Sequence, residues 1–227
     1  LEQAKRHTLE PAFISWLEQD NVFCSSLVDR IVPGKPDQAT VEAITTQQGF
    51  TDNLLIVSEV YSLWAIEGDE KIRAVLNFAL VDSAVVIEPN IDIFRELKLR
   101  LLNGTHTLAS GYCYLKGMDT VGESMENADT AAYITNVMLT ELAPAIPYAL
   151  DQKKALEFGN QVLDRFRNPF IRHQLIDITV QYTAKMKMRN IPTLLTHYKN
   201  STEAPALFAE GFAAFLLFMK SVKEENG

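Results

Sequence analysis

Lys98, Asn103 and His106 lie within nine residues of one another, in the segment Phe94-Arg95-Glu96-Leu97-Lys98-Leu99-Arg100-Leu101-Leu102-Asn103-Gly104-Thr105-His106. Together these three side-chain types suit reaction at an alcohol or ketone carbon. A lysine desolvated in a cleft has a lowered pKa, and its neutral amine can take a proton from a hydroxyl. An asparagine amide can donate a hydrogen bond to oxygen as negative charge develops there. A histidine can hold a neighbouring hydroxyl in place or relay its proton. At about 100° per residue, with Lys98 at zero, His106 falls near ~80° and Asn103 near ~140°. Phe94, Leu97, Leu101 and Leu108 gather in a sector of roughly 60°. The spacing therefore predicts a helix with one apolar and one polar side. Gly104 leaves its backbone approachable, at a cost of roughly 1 kcal/mol against alanine. A solvated lysine, a helix-ending Asn-Gly pair and a surface histidine would show the same spacing, so spacing alone leaves the chemistry open.

The elements that must position these groups change character along the chain. Before Glu88-Pro89-Asn90 come short β-branched runs such as Leu54-Leu55-Ile56-Val57 and Ala84-Val85-Val86-Ile87, which read as strands. After it come long segments of helical periodicity, at about 91–116, 127–142, 151–166, 169–188 and 204–223. Proline and asparagine predict an extended turn and a boundary there. Charge divides at the same place. Residues 1–90 hold 14 acidic and 6 basic side chains, whereas 91–227 hold 15 of each, so the whole net charge of −8 belongs to the first part.

Such an acidic chain argues against a nucleic-acid or anionic-membrane partner, each of which would want a basic surface. The longest apolar segment, 204–219, carries Glu210 and falls short of the roughly 18 residues of a membrane span. A cytoplasmic protein with a small-molecule substrate is the expectation, and the oligomeric state stays open. Cys24 and Cys113 are too few for a disulfide framework or a thiolate metal cage and read as buried thiols. His7, His106, His173 and His197 lie too far apart for a metal site. The chain opens on Leu1 without a methionine, which suggests a processed product or the downstream part of something longer.

The string Lys98-x-Arg100-Leu101-Leu102-Asn103-Gly104-Thr105-His106 resembles the signature of the polyol-specific long-chain dehydrogenases, the mannitol dehydrogenase family. Leu27-Val28-Asp29-Arg30-Ile31, Trp64-Ala65-Ile66-Glu67 and Arg165-Phe166-Arg167-Asn168-Pro169-Phe170-Ile171 resemble further strings of that family. Asn21 to Arg30 and Gln181 to Arg189 are most similar to its sugar-acid branch, which interconverts D-altronate and D-tagaturonate with NAD. The resemblance implies that Lys98 is the general base or acid, that Asn103 stabilises the alkoxide and that His106 orients the substrate. It also implies a fold class that is mainly α. A multi-helical substrate domain over 91–227, like the C-terminal domain of 6-phosphogluconate dehydrogenase, would follow residues 1–90 as the α/β tail of a Rossmann-type NAD-binding domain.

Two positions depart from the mannitol enzymes. Ser25 stands where they carry a second oxyanion-holding asparagine, and Asp177 where they carry a substrate-contacting arginine. No Gly-x-Gly-x-x-Gly turn is present, so most of the grip on NAD is expected outside this chain. The isolated chain should then be inactive and show no measurable NADH binding by calorimetry; micromolar binding would overturn this. Arg165, Arg167, Arg172, Lys185, Lys187 and Arg189, with Asp177 the only acid among them, could hold a sugar-acid carboxylate or form a solvated basic face. Lys185 and Arg189 share a helical face, and His173 is a further candidate substrate contact. Met186 and Met188 read as packing. Mannitol dehydrogenase activity, fructuronate reductase activity and a non-catalytic helical interaction domain are the alternatives.

Overall fold

The computed structural model describes residues 2–220. In chain order the elements are α1 (Glu2–Arg6), α2 (Pro11–Gln19), β1 (Ser26–Asp29), α3 (Gln38–Gln48), β2 (Leu63–Glu67), α4 (Glu70–Val75), β3 (Val85–Glu88), α5 (Asp92–Leu97), α6 (Asn103–Leu115), α7 (Val121–Glu126), α8 (Ala128–Asn136), α9 (Gln152–Phe166), α10 (Leu175–Ile178), α11 (Tyr182–Arg189), α12 (Ile191–Asn200) and α13 (Ala206–Met219). They form two compact units, one of residues 2–28 and 63–91, the other of residues 29–62 and 92–220. The chain is mainly α, as expected, with strands in the order β1-β2-β3. Among the described residues no helix is long and apolar enough to cross a membrane.

In the α/β unit, β2 and β3 are parallel, with Ala65 opposite Val86 and Ile66 opposite Ile87. Parallel strands need a crossover, which α4 supplies. Gly68 makes the turn into that helix: a Cβ there would lie 2.7 Å from the Ile72 side chain and 3.2 Å from that of Ile87. Asp69 caps α4, its carboxylate accepting from the Lys71 and Ile72 amides.

The helical unit is built around α6, which packs against α13, α10 and α11. Thr105, His106, Thr107, Leu108, Ala109 and Ser110 are all buried. The expected polar side of this helix is therefore not a solvent face; neighbours surround it. Tyr182 of α11 donates to the Thr107 carbonyl at 2.8 Å and accepts the Gly111 amide at 2.9 Å. A side chain at Gly111 would close that approach, since its Cβ would lie 2.8 Å from the Tyr182 hydroxyl.

Several helices differ from their sequence-based outlines. The stretch 169–188 is not one helix. Asn168 accepts from the Phe170 amide, and residues 173–175 run extended, bonded to 119–121. Only four residues of α10 follow before Gln181, at φ 56°, breaks the chain again. No helix is expected at 191–200 from periodicity, yet α12 forms there with Pro192 in its first turn, where the missing amide costs nothing. Leu54–Val57 is not a strand, because Asp52 turns the chain by accepting from Leu54, and only Val57 bridges to Gly34. The candidate 204–223 corresponds to α13, with 221–223 outside the described residues. Cys113 is buried as expected, but Cys24 is exposed; likewise Met186 packs in the core while Met188 is exposed.

Candidate active site

The helix that carries Lys98 is interrupted. Between α5 and α6, Lys98–Leu102 form a π-helical turn in which the Asn103 amide donates to the Lys98 carbonyl, an i→i+5 bond. Such turns are rare and are found disproportionately at functional sites. A π turn takes roughly 4.4 residues, about 82° each, instead of about 100°. Over five residues this moves Asn103 from ~140° to about 50° and His106 from ~80° to about −10°, relative to Lys98. The three groups therefore share a narrower face than uniform α-helical spacing predicts.

Two buried contacts brace this turn from α11. Arg100 donates to the carbonyls of Met188 and Arg189 at 2.7 and 2.9 Å, while Glu96 accepts from its Nε at 2.8 Å. Asn190 donates to the Gly104 carbonyl at 2.9 Å. A Cβ at Gly104 would lie 3.3 Å from that amide nitrogen, so the approachable backbone expected at Gly104 is used by Asn190.

Lys98 is 21% exposed at its side chain, with Nζ 3.9 Å from Oδ1 of Asp29. Burial pushes its amine below the usual lysine range; Asp29 opposes this, and the Arg165 and Arg189 cations reinforce it. Asn103, half-buried, accepts the Thr107 hydroxyl on its carbonyl. His106 stacks on Phe166 at 4.2 Å and meets the edge of His173 at 5.1 Å. Its buried Nε2 has no hydrogen-bond partner. Burial first, then His173, Arg189, Arg165 and Lys185, hold the imidazole well below its ordinary pKa. A neutral ring offers one donor and one acceptor, so it suits holding a hydroxyl better than supplying a proton as imidazolium.

The remaining candidates divide. His173 lies in the extended segment before α10, with burial lowering its pKa and Nδ1 unpaired. Lys185 donates to the Ile178 carbonyl at 2.9 Å, and burial, then Arg189, lower its pKa. Arg189 reaches Thr107 Oγ1 at 3.2 Å, while its buried Nε has no partner. Of the six basic residues in this stretch, Arg167 pairs with Asp164 in solvent, and Arg172 and Lys187 are exposed. Ser25 belongs to the α/β unit; it is exposed there, and its carbonyl accepts the Glu67 amide at 2.8 Å. Asp177 is exposed.

Sequence reasoning assigned no role to a buried ion network beside Lys98. Arg165 binds Asp29 through two nitrogens, each at 3.0 Å, and Glu59 at 2.7 to 3.2 Å. Its guanidinium also lies over the Tyr61 ring at 4.2 Å. Asp29 and Arg165 stand inside two of the strings that carried the family resemblance, so a signal existed for both. Glu59 had none.

A half-desolvated lysine, a neutral buried histidine and nearby cations together describe a site for proton exchange with a hydroxyl. The mannitol dehydrogenase C-terminal domain model matches residues 90–227, and the mannitol dehydrogenase Rossmann domain model matches residues 2–78. The chain belongs to the mannitol dehydrogenase family, a family of oxidoreductases. Its curated relatives include the altronate oxidoreductases of Yersinia pestis, 35% identical over 99% of this chain and 46% of that protein, and of Pectobacterium carotovorum, 36% identical over 100% and 46%. That of Bacillus subtilis is 35% identical over 92% and 43%. The chain thus spans just under half the length of these relatives.

Two solved structures share the fold. A substrate-free D-sorbitol dehydrogenase has a TM-score of 0.78 at 20% identity, over 98% of this chain and 45% of the other. The mannitol 2-dehydrogenase of Pseudomonas fluorescens, in a ternary complex with NAD and D-mannitol, has a TM-score of 0.71 at 23% identity, over 97% and 44%.

Among the described residues no glycine-rich dinucleotide cradle is formed. In the turn after β2, which carries Gly68, the Asp69 carboxylate occupies the helix amides that a pyrophosphate would need.

Proposed function

We propose that this chain is the substrate-binding and catalytic part of an NAD-dependent tagaturonate reductase, or altronate oxidoreductase, which interconverts D-altronate and D-tagaturonate. On this reading residues 91–227 are the catalytic domain and residues 1–90 the tail of the NAD-binding half. The observation that carries the proposal is Lys98: a partly buried amine, pushed toward its neutral form, on the π turn that leads directly into Asn103 and His106 of α6.

Oxidation removes a proton from the hydroxyl and a hydride from the carbon beneath it. NAD would accept the hydride, held mainly by residues outside this chain. Lys98 takes the proton, and in reduction its ammonium returns it. The Asn103 amide donates to the oxygen while it carries negative charge. Neutral His106 holds the reacting hydroxyl with its unpaired Nε2.

Arg189, with Lys185 and His173, receives the carboxylate. Its buried Nε without a partner marks a guanidinium short of an acceptor, and a carboxylate can bind such a fork through both oxygens. The names of the relatives support the same substrate.

Comparing altronate, mannonate and mannitol as substrates of the complete enzyme tests the reading. Altronate should be preferred. Arg189→Met should raise KM for altronate by roughly 10–100-fold, with a far smaller effect on mannitol, because only the acid offers a charge to that guanidinium. Equal losses on acid and polyol would remove Arg189 from carboxylate binding. A preference for mannitol would favour mannitol dehydrogenase, and a preference for mannonate fructuronate reductase.

A further inference from the structure

We infer that Asp29, held by Arg165 and Glu59, is a positioning residue that sets the charge of Lys98. This rests on the role proposed for Lys98 and deepens it.

The cluster has an unbalanced charge. Asp29 and Glu59 are both almost fully buried, with side chains 1% and 2% exposed, and Arg165, at 8%, is the cation shared between them. Arg165 places Nη1 on Oδ2 and Nη2 on Oδ1 of Asp29, while Nε and Nη2 also reach Glu59. Glu59 is fixed in turn by the Ile31 amide at 2.6 Å on its carboxylate, and its carbonyl accepts Arg30 Nε at 2.9 Å. One guanidinium therefore answers two carboxylates. The remaining negative charge lies within 3.9 Å of the Lys98 amine.

When Lys98 is protonated the four groups are neutral together; when it is not, a net anion stays buried. Burial of the lysine favours the neutral amine, and the Asp29 carboxylate favours the ammonium. Arg165 and Arg189 also face Lys98, and both disfavour its ammonium. Tyr61 lies beneath Arg165, and burial and Asp29 raise the pKa of its hydroxyl. A base needed in both directions must be able to change charge near the working pH. Asp29 limits how far burial and the two arginines drive the amine from its ammonium form, and the clamp on Asp29 keeps the carboxylate at one distance.

Competitive acylation of the folded 227-residue chain with acetic anhydride across pH, read at Lys98 by peptide mass spectrometry, gives its titration midpoint without any turnover. Asp29→Asn should lower that midpoint by roughly one pH unit or more, because an opposite charge at this range shifts a pKa by about 1–3 units. Glu59→Gln should move it the same way by less, since that charge acts from behind Arg165; it carries the test if near-ultraviolet circular dichroism shows that Asp29→Asn does not fold. An unmoved or raised midpoint in a folded variant overturns the inference. The midpoint is independent of activity, so a shift accompanied by an active Lys98→Ala enzyme would reject the catalytic reading alone.

Discussion

Replacing Lys98 by alanine lowers turnover of the complete enzyme by roughly 10²–10⁴-fold in both directions, the range general acid–base groups contribute. That corresponds to about 2.7–5.4 kcal/mol of transition-state stabilisation. The loss falls on kcat, because Arg189 and Lys185, not the lysine, receive the substrate's charge. It also removes a pH dependence. Burial depresses the Lys98 pKa, so the neutral amine accumulates at lower pH than an exposed lysine would allow. Oxidation needs that neutral form and climbs with pH to a plateau; reduction needs the ammonium and declines through the same range. The alanine variant should be flat there. Steady-state rates followed through NADH absorbance give both results, and near-normal turnover would dismiss Lys98 from the role.

Arg165→Ala should cost stability rather than turnover alone, by about 3–5 kcal/mol. Its head carries the hydrogen bonds to Asp29 and Glu59 and the stacking on Tyr61, and its removal leaves two buried carboxylates without their cation. An uncompensated buried charge is among the largest single penalties a fold meets, and a domain's whole stability is only about 5–15 kcal/mol. Urea unfolding of the 227-residue chain, followed by circular dichroism, measures it directly. A loss within about 1 kcal/mol would mean that water reaches the carboxylates and that the cluster is no buried network.

Much of the site was legible because its chemistry is local. Lys98, Asn103 and His106 are close in sequence, and their string is dense enough to carry a family resemblance. Their mutual orientation was not legible: whether Lys98–Leu102 coils as α or π depends on what braces the turn, and Arg100 and Asn190 bind residues more than eighty positions away. Uniform periodicity failed on α6 for a related reason, since a helix surrounded by others buries Thr105 and Thr107 as fully as Leu108. Arg165 read as one of six basic residues, because nothing local reveals that Asp29 and Glu59 fold against it from more than a hundred residues upstream. The break at 167–174 was half visible in Asn168-Pro169. The helix after Asn190 was missed because Pro192 reads as a stop when it stands in a first turn.

Chemical rescue tests the central claim most directly. Truncating Lys98 leaves a space partly open to solvent, as its side chain is 21% exposed. Small primary amines added to the Lys98→Ala enzyme should restore altronate oxidation in proportion to their unprotonated concentration. A crippled variant indifferent to every amine, or one that oxidises altronate at the wild-type rate without any, would contradict the assignment of Lys98 as the proton acceptor.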